Sequence, residues 1–139
     1  MFVFLFSSSV QALSWAYPFV VWKGKVYQLT KEEIVEEREI GKIIGEVRTR
    51  PNEMTGDYYG DASNYYAKGT KYYEIKGTST SSALAIKDKN KFVKAVYVHQ
   101  APFHIMNIVT NTFFISSVAI IALMIIGVIF RTKKAKNAK

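Results

Sequence analysis

The stretch TFFISSVAIIALMIIGVIF, residues 112–130, decides the architecture. It runs for 19 residues without a charge, and the uncharged run reaches back to Ile105. At ~1.5 Å per residue, a helix of about 20 residues crosses the ~30 Å hydrocarbon layer of a bilayer. Ser116, Ser117 and Gly127 are compatible with such a helix, because small residues let membrane helices pack closely. The competing reading is a buried core helix of a soluble protein. It fares poorly, since core helices seldom stay uncharged this long and the rest of the chain is too short to wrap one. The sequence therefore predicts a C-terminal transmembrane α-helix over 105–130, with the lipid bilayer as its first partner.

The nine residues that follow, RTKKAKNAK (131–139), hold Arg131, Lys133, Lys134, Lys136 and Lys139 and no acid. A dense basic cluster beside a span stays on the cytoplasmic side, so 131–139 is expected to be a cytoplasmic tail. The same cations favour anionic headgroups by ~1 kcal/mol each. Charge elsewhere is nearly balanced. Of 19 Lys and Arg and 11 Asp and Glu, 14 basic and all 11 acidic residues lie between Lys23 and Lys94, a surplus of three. The net charge of +8 is thus mostly a property of the tail, and no nucleic-acid-binding surface follows from it.

The amino end is uncharged through Trp22. Residues 1–12 have the short apolar core and the Val10-Gln11-Ala12 ending of a signal peptide, although a basic start is missing. The alternative is part of an uncleaved span over 1–22. Residues 13–104 are expected to form one small extracytoplasmic domain of β-rich character in the cell envelope, and with either amino end Lys23 to His104 lies outside. Cysteine is absent, which excludes disulfides, thiolate metal sites and cysteine nucleophiles.

Within that domain, Val20 to Leu29 reads as a strand pair turned at Lys23-Gly24-Lys25. Thr30-Lys31-Glu32-Glu33 has the spacing of a capping box, which makes 34–40 a short helix or an exposed turn. Strands are expected over 43–48 and 72–76. A hairpin is expected from 83–87 and 92–98 about Asp88-Lys89-Asn90-Lys91. The fold class is mainly β, a small antiparallel sheet or partly open barrel with one short helix.

Three tyrosine pairs recur every seven residues, in DYYGDAS, NYYAKGT and KYYEIKG (57–77). Adjacent side chains on an extended chain point to opposite faces, so each pair can place one ring inward and one outward. Outward rings close together make a stacking platform for a ligand or partner protein. The expected contact surface is Tyr58, Tyr59, Tyr65, Tyr66 and Tyr72, with Lys68 and Lys71 as a cationic rim. The plainer alternative is that the rings cover a thin core. The motif Gly69-Thr70-Lys71-Tyr72-Tyr73-Glu74-Ile75-Lys76-Gly77, followed by Ala83-Leu84-Ala85, resembles a small extracytoplasmic module of exported or membrane-anchored proteins of Bacillus-type Gram-positive bacteria. The resemblance spans roughly residues 20–95. It implies an outward-facing domain and no catalytic residues.

Catalytic and metal constellations are weak. His99 and His104 lack further ligands at suitable spacing. Asn52, Glu53, Asp57, Asp61 and Asn64 gather oxygen atoms without the spacing of a calcium loop. The Thr78–Ser82 hydroxyl cluster lacks a nucleophile elbow and a base. No cofactor, metal or catalytic residue is expected. The function expected is a non-enzymatic, single-pass anchored protein that binds or senses a ligand, or serves as accessory subunit to a membrane or envelope protein. A small envelope hydrolase using Ser/Thr or loop carboxylates, and a purely structural spacer, are the alternatives. Oligomeric state is left open.

Overall fold

Two residues in left-handed backbone, Lys23 (φ 48°) and Gly24 (φ 74°), turn the chain back on itself after Trp22. That local twist matches the twist of paired strands, so a two-residue turn of this hand closes a hairpin. The hairpin joins β1 (Phe19–Trp22) to β2 (Lys25–Val35), with Trp22 opposite Lys25 and Phe19 opposite Gln28. A computed structural model describes residues 15–138. The signal-peptide segment 1–12 lies outside the described residues. Of the alternative span 1–22, Phe19–Trp22 forms a strand of this sheet.

The remaining strands are β3 (Ile40–Glu46), β4 (Lys71–Ile75), β5 (Ala83–Asp88) and β6 (Lys91–Gln100). They form one antiparallel six-stranded sheet in the order β1-β2-β6-β5-β4-β3, curled into a half-barrel. The β5–β6 hairpin turns at Lys89, also left-handed, with Asp88 opposite Lys91. Along β5 every residue from Ala83 to Ile86 is buried. Leu84 and Ile86 join Val20, Tyr27, Leu29, Val47, Tyr66, Tyr72 and Ala95 in the main cluster. Ala83 and Ala85 join Val35, Ile75 and Phe92 in a second one. A strand buried on both faces reads as a continuous apolar run, and Ala-Leu-Ala-Ile is one.

The gap between the edge strands β1 and β3 is filled by the segment 47–70. Val20 bridges to Ser63 and Thr49 bridges to Ala62. Val21 N–H donates to the Ala62 carbonyl at 2.7 Å, and Arg48 N–H to the Asp61 carbonyl at 2.7 Å. Backbone groups on the outer edge of β1 are thereby paired, which covers one of the two edge strands.

Of the two forms expected over 34–40, the helix is absent and the exposed turn is present. Thr30 caps no helix, and β2 continues to Val35, whose side chain packs with Phe92 in the second cluster. The Thr30 hydroxyl donates instead across the sheet to the Lys94 carbonyl at 2.7 Å. Only Glu37–Glu39 forms a single 3-10 turn, with the Glu39 carboxylate accepting the Glu36 N–H at 3.3 Å. Burial of the β-branched Val35 outweighs the local helical signal, since propensity is a weak prior against tertiary packing.

The chain divides at Phe103/His104 into two compact units, and the second is helical. It holds α1 (Ile105–Val109) and α2 (Thr112–Asn137). The uninterrupted helix expected over 105–130 is broken at Thr110–Asn111. The Asn111 side chain accepts the N–H groups of Phe113 (2.9 Å) and Phe114 (3.3 Å) and so starts a new helix. α2 is 26 residues long, with mean hydropathy 2.8 over its most apolar window, and is long and apolar enough to cross a membrane. Its apolar part, 112–130, measures roughly 28 Å at the helical rise, and the helix runs on through Arg131, Lys133, Lys134 and Lys136.

Candidate binding site

Ser63 organises the tyrosine-bearing segment. It is fully buried, and its hydroxyl donates to the Phe19 carbonyl at 2.9 Å. The same oxygen accepts the N–H groups of Tyr65 (3.1 Å) and Tyr66 (2.9 Å). Beside it, Asn64 accepts the Phe19 N–H (2.8 Å) and donates to the Tyr17 carbonyl (3.0 Å). These bonds fasten the turn to β1 and send its two rings opposite ways. Tyr66 goes inward, 8% exposed, with its hydroxyl donating to the Asp88 carboxylate at 3.3 Å. Burial raises the Tyr66 phenol, and the Asp88 charge adds to it. Tyr65 goes outward, 48% exposed, braced edge-on by the Tyr66 ring with centroids 5.0 Å apart.

Next to Tyr65 the sheet ladder opens. Thr30 pairs with Lys94 and Ile34 with Val93, so Lys31, Glu32 and Glu33 are extra on β2 and bulge out. The Lys31 ammonium sits 4.3 Å from the centre of the Tyr65 ring, a cation–π contact. Glu33 pairs with Lys94 at 2.8 Å and anchors the other end of the bulge. Between them lies a cleft of about 470 Å³ lined by Pro18, Gln28, Leu29, Thr30, Lys31, Glu32 and Glu33. That volume is in the range of small-ligand and side-chain pockets, and bulges are enriched beside functional sites.

The five-ring platform expected from the tyrosine repeat is corrected to a single exposed ring. Tyr72 is completely buried in the main cluster and Tyr66 nearly so, so neither can meet a partner. The Tyr72 hydroxyl has no hydrogen-bond partner among the described residues; burial raises this phenol, and the Asp61 charge raises it further. Tyr58 is half-buried against Phe19 and Trp15, at 5.2 and 6.4 Å between ring centres. Tyr59 is half-buried, and its carbonyl accepts the Thr49 hydroxyl. Lys68 and Lys71 are exposed. Lys71 pairs with Glu46, whose carboxyl this hydrogen bond and charge hold low. The rings cover a thin core because the domain is small and has few other large side chains to fill it.

The other chemistry-bearing groups make local hydrogen bonds. His99 shares a hydrogen bond with the Tyr17 hydroxyl (3.1 Å) and another with the Gln100 carbonyl (2.7 Å). His104 accepts the Met106 N–H and caps α1. Asn52 accepts the N–H groups of Met54 and Thr55 in an Asx turn. Asp61 is half-buried; desolvation raises its carboxyl above the usual range, against the Lys23 N–H bond and the Arg48 and Lys23 charges. The sequence pointed to Tyr65, but the bulge residues Lys31, Glu32 and Glu33 escaped it. Their signal was a polar interruption of an otherwise β-type run. Family models, curated proteins and solved structures give no match to this chain.

Proposed function

We propose that the protein is a single-pass, membrane-anchored envelope protein whose outer β-domain binds a ligand or partner at the Tyr65–Lys31 cleft, acting as a receptor or as an accessory subunit of a larger membrane protein. The observation that carries this reading is an open cleft whose Lys31 reaches an exposed, braced aromatic ring, on a domain followed by an apolar helix that ends in cations. Retention of Arg131, Lys133, Lys134 and Lys136 on the cytoplasmic side puts the β-domain outside. Two of the polar groups that line the cleft are engaged in holding the bulge, Thr30 to the Lys94 carbonyl and Glu33 to the Lys94 ammonium, which suits recognition.

A photoreactive amino acid placed at Tyr65, and separately at the exposed turn residue Lys89, tests this in cells. The expected outcome is one dominant crosslinked partner from position 65 and none from 89. The same partner should co-purify with the unmodified protein and be lost on Tyr65→Ala. Equal, diffuse crosslinking from both positions contradicts the proposal.

A further inference from the structure

The face of the Tyr65 ring is already occupied by an ammonium, and that occupant is weakly held. Lys31 is exposed and sits in a bulge where β2 has left the ladder. Its only hold on the ring is a cation–π contact at 4.3 Å, which at an exposed site is a small contribution. Ser63 and Tyr66 fix the ring itself, so the platform outlasts the departure of Lys31. Pro18, half-buried, lines the adjoining cleft together with Glu32 and Glu33, while Leu29, which also lines it, is only 4% exposed. Five of the eleven acids in the chain lie between Glu32 and Glu39, so this edge is acidic in an otherwise basic protein. An apolar stem ending in an ammonium matches each of these surfaces.

We propose, resting on the binding role given above, that the cleft receives a lysine side chain from a partner protein, its ammonium replacing that of Lys31 over Tyr65 and its methylenes lying on Pro18. Lys31 is then a tethered competitor that keeps the ring covered while the site is empty.

The full chain in nanodiscs of zwitterionic lipid can be titrated with a fluorescent Gly-Lys-Gly-Lys-Gly peptide, followed by polarisation. The expected result is saturable binding, weakened about threefold to fivefold by Tyr65→Ala and kept by Tyr65→Phe, as loss of one cation–π contact requires. Lys31→Gln should tighten it by a similar factor, because the internal competitor is gone. Acetylating the peptide lysines should abolish binding. An unchanged isotherm with Tyr65→Ala, equal binding of the acetylated peptide, or full competition by spermidine at equal charge overturns the proposal. Partner capture at position 65 together with failure here would mean the cleft is used, but for other chemistry.

Discussion

The indole N–H of Trp22, at the end of β1, donates to the carbonyl of Ile44 in β3 at 3.2 Å and links the two edge strands of the sheet. The contact depends on Gly45. A β-carbon there would lie 3.0 Å from Trp22 Cδ1 and 3.1 Å from its Nε1, so a side chain at this position would push the indole back by a few tenths of an ångström. Gly45→Val should cost about 1–3 kcal/mol, as overpacking does, and should red-shift the Trp22 fluorescence. Denaturant unfolding of the variant measures the loss; an unchanged midpoint would remove this contact from the account of barrel closure.

Ser63 holds the segment 47–70 to β1 with one donated and two accepted hydrogen bonds. Ser63→Ala leaves a buried carbonyl and two N–H groups without that partner, and should destabilise the domain by about 2–3 kcal/mol. Crosslinking from position 65 should fall with it, since the ring loses its support. Retained stability would show that the seam is held elsewhere.

Two buried tyrosines should respond oppositely to loss of the hydroxyl. Tyr27 donates to the Thr80 carbonyl at 2.7 Å, so Tyr27→Phe should cost about 1 kcal/mol. The Tyr72 hydroxyl is buried without such a partner, so Tyr72→Phe should leave stability unchanged or raise it. Equal destabilisation by both substitutions contradicts this contrast.

Burial raises the Asp61 carboxyl above its ordinary value of 3.8. A carboxyl whose folded value exceeds its unfolded one binds protons more tightly when folded. Its contribution is therefore fully present below the unfolded value and is lost as pH rises through the folded one. Stability should fall with rising pH across that window on account of Asp61, whereas Glu46, held low by Lys71, gives the opposite slope. Asp61→Asn keeps an acceptor for the Lys23 N–H. It should stabilise the domain at neutral pH and little below the ordinary carboxylate range. Thermal midpoints of the two proteins against pH check the sign; a variant less stable than the parent at pH 7 overturns it.

Hairpins and the long helix were legible because their signals are local. Lys-Gly-Lys and Asp-Lys-Asn-Lys carry the turns, the run 83–86 carries a doubly buried strand, and 112–130 carries an apolar helix. The β2 extension was not legible, because Val35 is held by Phe92, far along the chain. The facing of the tyrosines was hidden for the same reason. Which ring of each pair turns inward is set by Ser63 bonding to Phe19, 44 residues away, and by closure of the barrel over Tyr72. The break at Asn111 was readable in principle, since asparagine is a strong helix cap.

Because the chain has no cysteine, single cysteines report its topology directly. Lys68→Cys and Lys136→Cys, each exposed, can be treated with a membrane-impermeant maleimide on intact cells and again after permeabilisation. Position 68 should be labelled in intact cells, and position 136 only once the membrane is opened. Labelling in the reverse order, or release of the protein from membranes by alkaline carbonate, would contradict this topology.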